Sequence, residues 1–160
     1  MKVLVVYDSL YGNTEKIAQA IGKVLESNNE VKVQRVGETN VSELISINLL
    51  IVGSPTYGGR PSQPVKTFLD KIMHESLKGV KAASFDTGTP TENQGFFINN
   101  ITKFFGRASP RIAKVLKEIG ADIIGFQTFI VLGKEGPLRE GELERAAGWA
   151  KEIVKSNNLV

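Results

Sequence analysis

Five short apolar runs alternate with longer segments of helical period along this chain, and that alternation narrows the fold more than any other feature. The runs are Val3 to Tyr7, Val31 to Val36, Ile47 to Val52, Val80 to Phe85 and Ile123 to Leu132. Strands that alternate with helices pair in parallel, because each crossover returns the chain to the starting edge of the sheet. Four runs are nearly continuous in apolar residues, as expected when helices cover both faces. The second interleaves Val31, Val33 and Val36 with Lys32, Gln34 and Arg35, which suits a sheet edge. The strand order 2-1-3-4-5 puts the second strand on an edge. The predicted class is therefore α/β: a three-layer sandwich with a five-stranded parallel sheet in that order and helices on both faces. Gly125 interrupts the last run and predicts a kink or break.

The helices carry their own signals. Ile17, Ala18, Ala20, Ile21, Val24 and Leu25 form one stripe, with Asn13 as the expected cap and Glu15 in the first turn. A second helix, entered through Pro61 and Pro64, should contain Val65, Phe68, Leu69 and Ile72. Ser109-Pro110 reads as a cap followed by the first helical residue, with a stripe from Ile112 to Ile119 and a stop at Gly120. The last helix runs from about Glu142 to Lys155, with Leu143, Ala146, Ala147, Ala150, Ile153 and Val154 facing the sheet and Trp149 off the centre of that stripe, partly packed.

Composition bounds the chemistry. A chain of 160 residues suits a single domain over 1–160. The absence of cysteine excludes disulfides, thiolate metal sites, iron–sulfur clusters and a cysteine nucleophile. Met1-Lys2 leads straight into an apolar strand without the pattern of a secretory signal, and no apolar run approaches the roughly 20 residues of a membrane span. The expected location is cytoplasmic. His74, the only histidine, has no metal-ligand partner at suitable spacing and reads as a surface residue. Net charge is +3, unevenly placed: residues 60–117 hold 10 basic and 4 acidic side chains. Such a field favours an acidic partner or a phosphorylated ligand, or is simply a solvated helix face. The basic residues are dispersed and lack an aromatic platform, which argues against nucleic acid.

The strongest motif is Ser9-Leu10-Tyr11-Gly12-Asn13-Thr14, between the first strand and the first helix. In order 2-1-3-4-5 the strand order reverses beside strand one, and ligands bind beyond the carboxyl ends of the strands there. A phosphate at that point meets backbone N–H groups and the positive end of a helix dipole. Gly12 permits close approach, while Ser9, Asn13 and Thr14 offer short donors. The motif is neither a Walker A loop nor a GxGxxG fingerprint. Gly53-Ser54-Pro55-Thr56-Tyr57-Gly58-Gly59 follows the third strand, and Asp86-Thr87-Gly88-Thr89-Pro90 the fourth. Tyr57 can wall a flat ring, and Asp86 can orient a hydroxyl or cap a turn.

On these residues the chain resembles the flavodoxin family, across essentially its whole length. Ser9, Gly12, Asn13 and Thr14 match the family's FMN phosphate loop, with Tyr11 in place of a small hydroxyl residue. The stretch from Gly53 to Gly59 is similar to the first isoalloxazine loop of flavodoxins and of flavodoxin-like quinone reductases. The stretch from Asp86 to Thr89 stands in the place of the second. The resemblance implies noncovalent FMN held by Ser9 to Thr14, by Pro55, Thr56, Tyr57, Gly58 and Gly59, and by Asp86, Thr87, Gly88 and Thr89. It also implies that the peptide at Gly58 turns over beside the flavin when the ring takes up an electron.

The leading expectation is an electron carrier between redox partner proteins. The alternative is an NAD(P)H:quinone oxidoreductase of the same fold, and the next a non-redox phosphate-binding or receiver-like module. The receiver version lacks a phosphoacceptor aspartate, since the third strand ends in Gly53-Ser54. Electron-carrier flavodoxins are typically acidic, so the positive middle third points to an acidic partner. Arg60, directly after the flavin loop, is expected to favour the anionic reduced ring. Phe96, Phe97, Ile98, Ile101, Phe104 and Phe105 form an aromatic cluster suited to a lid, a substrate surface or a subunit contact.

Overall fold

The computed structural model describes residues 1–90 and 106–159, so the cluster from Phe96 to Phe105 lies outside the described residues. Strand β1 (Lys2–Tyr7) is buried from Val3 onward because it pairs on both sides, with β2 (Glu30–Arg35) and β3 (Leu49–Tyr57), both in parallel. Beyond β3 come β5 (Lys81–Gly88) and β6 (Asp122–Ile130), giving the order β2-β1-β3-β5-β6. These five strands realise the predicted 2-1-3-4-5 order. A two-residue strand, β4 (Arg60–Pro61), folds back antiparallel on the end of β3 and was not anticipated.

Helices cover both faces of the sheet. On one, α2 (Gln63–Asp70) and α3 (Ala108–Glu118) contribute Val65, Phe68, Leu69, Ile112 and Leu116 to a core with Leu4, Val6, Leu50 and Val52. On the other, α1 (Asn13–Leu25) and α4 (Glu142–Ser156) pack Ile17, Ile21, Ala150 and Ile153 against Val3, Val5, Ile51 and Phe85. Burying one such side chain stabilises the fold by about 1.5–3 kcal/mol. Gly53 is required by this packing, because a Cβ there would lie 2.1 Å from the Phe85 ring. Edge strand β2 keeps Val31 and Val33 half-buried and exposes Glu30 and Lys32, but its alternation is incomplete, since Arg35 is also half-buried and the polar Gln34 is buried.

Several expectations need correction. The cap of α1 is Gly12, with no side-chain hydrogen bond, and Asn13 is the first helical residue. Helix α3 starts at Ala108, not at Pro110, with Arg107 as its cap residue. Ile72 is buried but follows the end of α2. Leu143 is exposed and faces away from the sheet. Trp149 is buried edge-to-face against Phe129, with ring centroids 6.1 Å apart. Strand β6 does not break at Gly125; Ala82 pairs with Ile123 and Ala83 with Gly125, so Ile124 bulges. Gly125 lets α4 approach closely, because a Cβ there would lie 3.0 Å from Ile153. Strands β3 and β5 also run further than their apolar runs, through Tyr57 and Gly88.

Candidate functional site

All five parallel strands end on the same side, and the order reverses between β1 and β3. A cavity of about 240 Å³ opens there, lined by Ser9, Leu10, Tyr11, Asn13, Thr14, Pro55, Thr56, Thr87, Gly88 and Thr89, together with Val131, Gly133 and Lys134. Thus ten of the residues expected from sequence converge on one space. Gly12 shapes the loop at its base, Tyr57, Gly58 and Gly59 lie along the adjoining hairpin, and Asp86 sits behind the wall.

The base is a network of local hydrogen bonds. Gly12 adopts the left-handed backbone (φ 87°) that glycine tolerates best, and its N–H donates to Ser9 Oγ at 3.0 Å. That conformation opens the start of α1 with no side chain capping it, leaving the first-turn N–H groups for a ligand. Thr14 Oγ1 is buried 2.7 Å from Thr87 Oγ1, which ties α1 to β5. Arg35 braces the loop from β2: one nitrogen donates to the Ser9 carbonyl and another to Glu15, each at 2.8 Å. Glu15 also accepts from the Tyr7 hydroxyl at 2.9 Å. Burial first, then this hydrogen bond, pushes the Tyr7 hydroxyl above its ordinary pKa.

At the mouth, Tyr57-Gly58-Gly59-Arg60 makes a two-residue hairpin between β3 and β4. Both glycines have positive φ (55° and 76°), the geometry such a tight turn demands. Leu10, Tyr11 and Tyr57 are all exposed beside it. The Tyr57 hydroxyl is held above its ordinary pKa, first by partial burial and then by Asp8 and Tyr11.

Asp86 does not line the cavity. Its carboxylate is fully buried and accepts from Thr56 Oγ1 at 2.6 Å, Thr128 Oγ1 at 2.8 Å, and the hydroxyl and backbone N–H of Ser109. Thr56 in turn accepts from the Ala108 N–H at 3.0 Å. One carboxylate therefore joins β3, β5, β6 and the start of α3, doing from another strand what Ser109 was expected to do as a cap. Arg107 covers Gly88 and donates to the Thr89 carbonyl at 3.0 Å.

Val131, Gly133 and Lys134 were missed from sequence. They belong to the loop after β6, whose Gly133-Lys134-Glu135-Gly136-Pro137 stretch reads as an ordinary turn. The signal that could have found them is topological: the end of the fifth parallel strand faces the same side as the other loops. Among the described residues, no three His, Asp or Glu side chains gather to hold a metal, and no helix is long and apolar enough to cross a membrane.

A family model described as flavodoxin matches residues 5–149. The chain is 29% identical over 126 residues to a flavodoxin of Aquifex aeolicus, covering 66% of this chain and 68% of that protein. It is 32% identical over 119 residues to an NAD(P)H dehydrogenase (quinone) of Methylocella silvestris, covering 59% of each. It therefore spans less than two thirds of that dehydrogenase's length. The crystal structure of oxidised Flavodoxin 2 from Bacillus cereus superposes with a TM-score of 0.75 at 28% identity, covering 98% of this chain and 99% of that one.

Proposed function

Given that this chain belongs to the flavodoxin family, we propose that it is a single FMN-binding unit that carries electrons between redox partners. The observation that carries the reading is the uncapped start of α1, opened by Gly12 into a cavity at the point where strand order reverses. The donor set fits the cofactor: short hydroxyls of Ser9 and Thr14, one free N–H of the Asn13 amide, and first-turn N–H groups suit a phosphate. Thr56, Thr87, Gly88 and Thr89 suit the ribityl chain. The enclosed volume suits this polar end of FMN, while Tyr11 and Tyr57 offer aromatic walls for the ring at the open mouth.

Bound FMN supplies the electron-transfer chemistry, taking up and releasing electrons one at a time. The protein's work is positioning. The Gly58-Gly59 turn can reorient its peptides at little steric cost, and the Asp86 network holds Thr56 and β5 in register beneath the ring site.

The mouth adjoins a groove of about 390 Å³ between α2 and α3, with Arg60, Lys66 and Arg111 over Pro61, Leu69 and Val115. Lys66 is paired with Asp70 at 2.8 Å, leaving Arg60 and Arg111 as the groove's net charge. That charge favours an acidic redox partner. The similarity to an NAD(P)H dehydrogenase (quinone) supports a second reading, FMN-dependent quinone reduction.

The test is FMN uptake by the apo-protein, followed by stepwise titration with dithionite as reductant, read from the visible absorbance spectrum. Two well-separated one-electron steps are expected. Rapid bleaching by NAD(P)H with quinone turnover would favour the reductase, and failure to take up FMN would overturn both readings.

A further inference from the structure

We infer that Lys134 is the charged contact to the cofactor's phosphate, carried there by the loop after β6 that Asn13 fastens to the start of α1; this rests on the FMN reading above. A phosphate monoester carries nearly two negative charges at neutral pH. The other cavity-lining residues are uncharged in that range, and Lys134 is the one cationic side chain among them. It forms no ion pair among the described residues. Glu15, the acid in the first turn of α1, is already engaged by Arg35 at 2.8 Å, and Glu135, within the loop after β6, accepts from Asn13 through its backbone carbonyl.

The loop is seated against the phosphate end specifically. Asn13 Nδ2 donates to the Glu135 carbonyl at 3.1 Å, across 122 residues of sequence. A Cβ on Gly136 would come within 3.0 Å of Asn13 Oδ1, so the loop and the first residue of α1 touch. The loop closes on itself through Leu132 N–H to Pro137 O at 2.8 Å and Gly136 N–H to Gly133 O at 3.2 Å. Lys134 thus stands at the tip of a braced turn, one residue from its anchor. In this arrangement Asn13 acts as a positioning residue as well as a donor.

The prediction concerns discrimination between FMN and riboflavin, which differ by the phosphate. Apo-protein, K134Q, K134R and K151Q are titrated with each flavin at low and high salt. Lys151 lies in a groove between the ends of α1 and α4, away from the site, and matches the charge change. K134Q should weaken FMN roughly five- to twentyfold at low salt, the effect of one exposed cation near a dianion. It should leave riboflavin within about twofold and flatten the salt dependence of FMN binding. K134R should restore FMN affinity, and K151Q should match the unmodified protein. If K134Q weakens both flavins equally, or neither, Lys134 has no phosphate role while the FMN reading stands. If the unmodified protein binds neither flavin, the FMN reading falls and this inference with it.

Discussion

At the base of the cavity Ser9, Asn13 and Thr14 are buried and committed to fixed hydrogen bonds, whereas at its mouth Leu10, Tyr11 and Tyr57 are exposed around a glycine hairpin. The base is braced from three directions, by Arg35 on β2, Thr87 on β5 and the loop after β6. The mouth rests on one buried carboxylate behind it, Asp86. Donors fixed before binding lose little freedom when an anion arrives, so the base is suited to supply affinity. Exposed aromatic rings beside a glycine turn suit a group that must stay reachable by electrons. The two ends should therefore respond differently to substitution.

The largest effect is expected at the base. Gly12→Val places a β-branched residue at φ 87°, where strain costs about 1–2 kcal/mol, and turns the loop N–H groups away from the phosphate. With one charge-assisted hydrogen bond lost as well, FMN binding should fall by roughly 3 kcal/mol, more than a hundredfold. Fluorescence titration should show a smaller loss for riboflavin. An equal loss for both flavins would mean that the base does not read the phosphate.

The loop after β6 gives the next effect. Glu142 is buried and accepts from the Ile130 N–H at 2.8 Å, from Arg139 at 2.8 Å and from Arg145. Burial works to raise its pKa, but the hydrogen bonds from Arg145, Ile130 and Arg139 prevail and hold it below the ordinary 4.5. A carboxyl lowered in the folded state contributes stability above its unfolded pKa, and that contribution is lost as pH falls from about 4.5 toward the folded value. Glu142→Gln should destabilise by about 1–3 kcal/mol in urea unfolding at pH 7, with the gap narrowing below pH 4.5. A constant gap would show that the carboxylate charge is not what holds this loop.

At the mouth the effects should be smaller. Tyr57→Leu removes an exposed aromatic wall and should cost about 0.5–1.5 kcal/mol of binding for FMN and riboflavin alike. Because both flavins carry the ring, a selective loss for FMN would mean that Tyr57 belongs to the phosphate end.

The same contrast explains what was legible in the sequence. The sheet was readable because Val3 to Tyr7, Ile47 to Val52 and Val80 to Phe85 are apolar on both faces, and burial on both faces leaves that mark. The ends of β3 and β5 were not, since Thr56, Asp86 and Thr87 are polar residues whose partners come from other strands. Asn13 looked like a cap because the local pattern allows it. Its real partner, Glu135, is distant in sequence and becomes a neighbour only when α1 and α4 pack on one face. The place of Lys134 at the cavity was hidden for the same reason, since a lysine in a glycine-proline turn has no local feature pointing to it.

The smallest effect should come from Arg60, which lies beyond the mouth on β4 and is exposed. Its charge is solvated, and at 4 Å in water a unit charge is worth only about 1 kcal/mol. Arg60→Ala should therefore lower the potential of the second one-electron step by on the order of tens of millivolts at low salt, since less positive charge faces the reduced ring. The shift should fade as salt approaches 1 M, where screening acts within about 3 Å. FMN affinity should stay within about twofold, because the oxidised ring is neutral and the proposed phosphate site lies at the other end. A potential unchanged at every salt concentration would detach Arg60 from redox tuning and leave only its proposed place in the α2–α3 groove.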